Sequence, residues 1–184
     1  MRFLTALGFL CCLTSILKAE NLGGGRGGPF LEYHARSLSA FDASVSGTPA
    51  VIGGVGFGWA TRSFRLGGGG GGGFLWNGSD NVEFGMGFGG LVGEYAIAPW
   101  LTGRLMIGGG GYSVSRVTSE SDSSRTFQKL DSGGFILFHP SLMADVKIHS
   151  WCMIAVNLGY FLPNVGKLQS ATLGFNLLFG ANPK

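Results

Sequence analysis

Charge is what this chain lacks most. Only 12% of its 184 residues are Asp, Glu, Lys or Arg, about half the share of an ordinary soluble domain. A water-facing surface needs ionic groups, and this supply is too small to cover one. The formal net charge of +3 offers no electrostatic platform for nucleic acid or for an acidic partner. Cysteine is nearly missing too. Of the three present, Cys11 and Cys12 lie in the N-terminal apolar run, and Cys152 alone cannot close an internal disulfide. The fold therefore has to hold without covalent staples. Beyond that first run there is no apolar stretch of about 18 residues, which excludes a helical membrane span. The histidines His34, His139 and His149 sit on separate segments without ligand spacing, so no metal and no cofactor is expected.

What is present in their place is glycine, at 35 of 184 residues, well over twice its usual share. Part of it forms short motifs that carry no chemistry. Gly67 to Gly73 is followed by no Lys-Ser or Lys-Thr, so it is not a phosphate-binding loop. Gly23-Gly-Gly-Arg-Gly-Gly28 holds a single arginine and makes a poor RNA platform. Asn77-Gly-Ser79 reads as a turn. At the start, Met1-Arg2 carries charge, Phe3 to Leu17 is apolar, and Leu17-Lys-Ala19 offers a small residue for cleavage. Met1 to Ala19 is therefore read as a secretory signal, 20–29 as a glycine-rich flexible leader, and 181–184 as a C-terminal tail.

The rest of the glycine alternates with bulky apolar residues. In Ala171-Thr-Leu-Gly-Phe-Asn-Leu-Leu-Phe179, the residues Leu173, Phe175, Leu177 and Phe179 share one side, with Thr172, Gly174 and Asn176 opposite. Successive strand residues point to opposite faces, so this is a two-faced ribbon. Eight such strands are expected: Phe30 to Arg36, Val51 to Ala60, Phe64 to Trp76, Val82 to Ile97, Trp100 to Arg116, Phe135 to Ile148, Trp151 to Leu162 and Ala171 to Phe179. Tight joins (Thr61-Arg-Ser63, Ala98-Pro99, His149-Ser150) alternate with longer ones (37–50, 77–81, 117–134 and 163–170). Such alternation belongs to an all-β, antiparallel up-and-down, eight-stranded transmembrane β-barrel over residues 30–180, with both termini on the tight-turn side.

The bore of eight strands is just wide enough to be filled by side chains. Bulk is accordingly expected outside against lipid, and glycine and ions inside. On β-strand six, Ile136, Phe138, Leu142, Val146 and Ile148 are assigned outward. On strand seven the outward set is Cys152, Ile154, Val156, Leu158 and Tyr160; on strand four it is Val82, Phe84, Met86 and Phe88. Phase slips are placed at Gly89-Gly90 and within Gly108 to Gly111. An inward polar network is expected from Glu32, His34, Arg36, Arg65, Glu83, Arg104, His139, Asp145 and Lys147. Unpaired ions there would each cost several kcal/mol. Trp59, Tyr95, Trp100 and Trp151, with Phe30 and Phe179, are expected as an aromatic girdle at the tight-turn end, and Trp76, Tyr112 and Tyr160 at the other.

On these features, and on segments such as Phe84-Gly-Met-Gly-Phe-Gly-Gly90 and Leu173-Gly-Phe-Asn-Leu-Leu-Phe179, the chain resembles the small eight-stranded bacterial outer-membrane β-barrels. The resemblance implies residence in the outer membrane of a Gram-negative-type bacterium, contact with its lipids, and insertion by the barrel-assembly machinery. Such barrels often end on an aromatic residue, whereas this one runs on from Phe179 to Lys184. The expected role is structural or surface-interacting, as a monomer, with an external ligand contacting loops 37–50 and 117–134 and no nucleic acid partner. Three other readings share part of the pattern. One is a soluble secreted β-barrel around an apolar ligand, and another is a narrow pore. The third is an outer-membrane lipid hydrolase built on His139-Pro-Ser141, whose spacing resembles the His and Ser of lipid A deacylases but which lacks a carboxylate on strand seven. No catalytic residue is assigned.

Overall fold

The computed structural model describes residues 25–35, 49–60, 63–77, 82–121 and 124–180. They form β1 (Arg26–His34), β2 (Ala50–Ala60), β3 (Phe64–Asn77), β4 (Val82–Ala98), β5 (Leu101–Ser121), β6 (Ser124–His149), β7 (Cys152–Pro163) and β8 (Ser170–Gly180), with a 3-10 turn at Gly166–Leu168 before β8. Each strand pairs antiparallel with its sequence neighbour, and β1 pairs with β8 to close the barrel. Closure leaves no open sheet edge, so most backbone hydrogen-bonding groups of the wall are met inside the wall, as a strand in hydrocarbon requires.

Strand boundaries follow the apolar alternation closely except at two places. β1 begins at Arg26 rather than Phe30, so the end of the stretch read as a leader belongs to the barrel. Arg26-Gly-Gly-Pro has no apolar alternation to announce a strand, and the strand exists because β2 and β8 pair with it on either side. The stretch 117–134, read as an external loop, is instead mostly paired strand. β5 and β6 stay paired, with two register shifts, up to Ser121↔Ser124. β6 leaves β7 at Leu137↔Pro163 and β4 leaves β5 at Val82↔Arg116, so β5 and β6 run on past their neighbours as a hairpin arm, with Phe135 at its base still packed in the core. Most of loop 37–50 lies outside the described residues.

The outer surface carries the apolar belt. Ile136 (69% exposed), Leu158 (65%), Phe74 (77%) and Leu91 (68%) stand out from the wall. On β6, β7 and β8 the faces are as the alternation gives them: Leu142, Val146, Ile154, Val156, Leu173, Phe175 and Leu177 are exposed, while Asn157, Thr172 and Asn176 are buried. An outer face of Ile, Leu, Phe and Val, with ionic groups turned inward, has the polarity of a wall in lipid and inverts that of a soluble barrel.

β4 departs from the expected faces. Val82, Phe84, Met86 and Phe88 point into the bore and are buried, and the half-exposed Glu83 sits on the opposite face. No phase slip occurs at Gly89-Gly90 or at Gly108 to Gly111, since pairing runs unbroken from Val82↔Arg116 to Ala96↔Thr102. The register shifts lie instead near Phe57/Trp59, Ala96/Ala98, Val114/Ser115, Val117/Ser119 and Lys147/His149. The cause is space supplied by the facing strands. A Cβ added at inward Gly110 would stand 2.7 Å from the Phe135 ring and 2.8 Å from the Phe88 Cβ, and one at Gly71 2.9 Å from Val51. Glycines on β3 and β5 thus make the room that the aromatic rings of β4 and β6 fill. The interior is therefore mixed, with an apolar cluster that includes Phe30, Phe84, Phe88, Phe135 and Phe161 beside the polar groups.

Candidate functional site in the bore

The inward ionic groups meet, and their centre is Glu94 on β4. The cross-strand register sets it between Arg65 on β3 and Arg104 on β5, while Arg26 reaches it from β1. Arg104 grips Oε1 through Nε (3.0 Å) and Nη2 (2.8 Å). Arg26 donates Nε to Oε2 at 2.9 Å, and Arg65 Nη1 lies 3.5 Å from the same oxygen. Arg26 Nη1 also reaches Asp145 Oδ2 at 3.2 Å, and the Thr102 hydroxyl donates to that oxygen at 2.7 Å. Glu94, Arg26 and Arg65 are all at least 95% buried. Charged groups so far from water persist only where opposite charges and hydrogen bonds offset their desolvation.

A second cluster surrounds Glu32. Asn157 Nδ2 donates to its Oε2 at 3.3 Å, and His34 Nε2 lies 3.3 Å from Oε1. His34 Nδ1 is 2.9 Å from the Ser170 hydroxyl, and His139 Nε2 is 3.2 Å from Thr172 Oγ1 and 3.7 Å from Glu32. Two amides join the clusters: Arg104 Nη1 donates to Asn176 Oδ1 at 2.9 Å, and Asn176 Nδ2 to Asn157 Oδ1 at 2.7 Å. The result is a hydrogen-bonded chain through the barrel from Arg26 to Glu32, carried on to Ser170 by the contact of His34 with Glu32. Three arginines (Arg26, Arg65, Arg104) face three carboxylates (Glu32, Glu94, Asp145), so the buried formal charge cancels when both histidines are neutral.

Of the residues expected in the bore, Glu32, His34, Arg65, Arg104, His139 and Asp145 are brought together there. Glu83 is not, for the reason given above. Lys147 follows Asp145 on β6 but is exposed, because β6 has by then reached the tight-turn rim. Arg36 lies outside the described residues. Arg26 and Glu94 are absent from the sequence-based set. Glu94 could have been found from its neighbours: Leu91, Tyr95 and Ile97 face outward, which turns Glu94 inward, and inward Arg65 and Arg104 require an anion. Arg26, set among glycines, gives no such signal.

The Ser170, His34, Glu32 sequence has the order of nucleophile, base and carboxylate. All three are at least 95% buried, and the Phe161 ring lies edge-on to His34 with centroids 5.0 Å apart. As built, they tie strands together rather than face a substrate. His139 and Ser141 both point inward, and His139 bonds Thr172.

At the tight-turn rim Tyr95 (56%), Trp100 (61%) and Trp151 (55%) are exposed, and Trp151 stacks on Phe179 at 6.0 Å with planes 18° apart. Phe30, expected with them, is 9% exposed and turns into the bore, where inward Gly53 leaves space for its ring. The side chains of Trp59 and Trp76 are not among those described.

No protein-family model matches the chain, and no curated protein sequence matches it. Among solved structures, the N-terminal β-barrel domain of Pseudomonas aeruginosa OprF is similar at 12% identity, over 86% of this chain and 98% of that one, with a TM-score of 0.48. Ail, the attachment invasion locus protein of Yersinia pestis, is similar at 10% identity, over 86% and 99%, with a TM-score of 0.46. Neisserial surface protein A is similar at 9% identity, over 87% and 97%, with a TM-score of 0.47. At such identities the likeness concerns architecture alone, and the closed eight-stranded barrel rests on the strand pairing of this chain itself.

Proposed function

We propose that the chain is an integral outer-membrane β-barrel, monomeric, with a structural or surface-interaction role and a bore closed to ions. The observation that carries this reading is the clamp of three arginines on Glu94, continued by Asn176 and Asn157 to Glu32. A conducting pore would present charge to a column of water, whereas these groups are spent on one another. Export through Met1 to Ala19 and insertion by the barrel-assembly machinery belong to the same proposal. The contact surface is the β5–β6 arm, which exposes Phe127 and Leu130 beyond the rim; exposed apolar groups on such a projection serve binding more than folding.

Three measurements test this. The protein should fractionate with outer membranes, need detergent for extraction, and migrate differently on gels before and after boiling. Recovery in the soluble periplasmic fraction would support the ligand-carrying secreted barrel instead. In planar bilayers the wild type should give no steady current, and large, stable conductance steps would overturn the closed bore. Protease added to intact cells should cut within the arm, and cutting only after permeabilisation would reverse the orientation.

A further inference from the structure

Two prolines interrupt the wall, and both face the same hairpin. On β1, His34 N–H bonds Pro49 on the β2 side and Ala35 N–H bonds Ala171 on the β8 side. Odd residues of β1 therefore aim their N–H at β8, and Pro29, which has none, is one of them. Pairing of β1 with β8 accordingly passes from Gly27↔Phe179 to Phe30↔Asn176 with nothing between, and without change of register. On β6, Asp145 N–H bonds Trp100 on the β5 side, while Ile136 exchanges bonds with Asn164 on the β7 side. Even residues aim at β7, and Pro140 is one. There the pairing passes from Phe138↔Leu162 to Ser141↔Gly159, again in unchanged register.

The carbonyls opposite, Leu177 and Tyr160, each lose the ladder donor that position would supply. In hydrocarbon no water replaces it. Between the two notched seams, β7 and β8 hold each other through ten consecutive pairs from Cys152↔Phe179 to Phe161↔Ser170. By contrast β3–β4 and most of β4–β5 are paired without a break.

Inside the bore, side chains bridge what the backbone leaves open. His34 bonds Ser170 across one seam, and Asn157 bonds Glu32 from β7 to β1. His139 bonds Thr172 from β6 to β8, and Arg104 bonds Asn176 from β5. We propose that the β7–β8 hairpin is a panel of the wall that opens locally toward the bilayer. Ser170, Thr172, Asn157 and Asn176 are the latch that holds it shut. The panel is a conformational device built into the barrel, independent of whether the arm binds a partner.

Hydrogen exchange on the full chain refolded in phospholipid vesicles tests it. In the wild type, amides of 153–161 and 171–178 should exchange roughly tenfold or more faster than those of 84–95 and 102–112, as fits about two missing ladder bonds. The double variant Pro29→Ala with Pro140→Ala restores both donors and should slow the panel about tenfold while leaving β3 to β5 unchanged. Ser170→Ala with Thr172→Ala should speed the panel alone. Exchange in β7–β8 as slow as in β4–β5, or a proline double variant that moves all strands equally or none, overturns the proposal. The wild-type pattern and the proline variant do not depend on the folding of the latch variant.

Discussion

Replacing Glu94 by glutamine keeps the shape of the side chain and removes the one charge that three arginines share. Arg26, Arg65 and Arg104 would then face only Asp145 and Glu32, leaving one uncompensated cation in a bore where Glu94 is 1% and Arg26 3% exposed. Removing one partner of a buried ion pair costs about 3–5 kcal/mol, a large part of the roughly 5–15 kcal/mol that holds a domain together. Glu94→Gln should therefore lower the urea midpoint of the detergent-refolded barrel by that equivalent, followed by fluorescence of the native tryptophans. The sharper test is the suppressor. Arg65 makes the longest of the contacts to Glu94, at 3.5 Å, so adding Arg65→Gln restores neutrality at the smallest loss of bonding. The double variant should be more stable than Glu94→Gln alone, with a coupling of at least about 1 kcal/mol. A single variant within about 0.5 kcal/mol of wild type, or a double variant whose losses simply add, would show that water already screens these groups and that the bore is open.

Deleting Thr118 to Lys129 should leave the heat-modifiable barrel intact, with stability within about 1 kcal/mol, because the removed residues lie on the arm beyond the rim; failure to refold would show that the arm nucleates the wall. Gly110→Ala should destabilise by about 1–3 kcal/mol through overpacking against Phe135 and Phe88, read as a lowered denaturant midpoint. Gly56→Val should do the reverse by about 0.5–1 kcal/mol, since a Cβ there meets nothing within 4 Å and a branched side chain suits a strand; a lowered midpoint would show that the outer face at Gly56 is already covered.

How much could be read from the chain depended on what stood opposite each strand. β6, β7 and β8 carry a polar or small residue at nearly every second place, so Leu142, Val156 and Phe175 could be assigned outward from local pattern alone. On β4 the alternation is Phe or Met against glycine, which fixes the period but not the side. Which face is inner there depends on Gly69, Gly71, Gly108 and Gly110 on the neighbouring strands, a tertiary fact invisible in the window 82–90. The same holds for the site. Arg65, Arg104 and Asp145 were legible as inward ions, while Arg26 became part of the network only through pairing of a segment with no strand signal of its own. The long β5–β6 hairpin reads as a loop because its Ser, Asp and Glu are polar on both faces, as befits strands standing in water.

β3 holds seven consecutive glycines, Gly67 to Gly73, each paired on both sides. Identical residues carry no information about alignment: sliding this stretch past its neighbours by two places preserves every ladder bond within it. Only the brackets decide, Arg65 and Leu66 at one end and Phe74 and Leu75 at the other. A displaced copy would carry Arg65 away from Glu94 and leave a well-bonded but wrong wall. The species to seek in refolding mixtures is therefore a compact, shifted isomer, and the arginine clamp doubles as the index mark that tells the glycine ribbon where to stop.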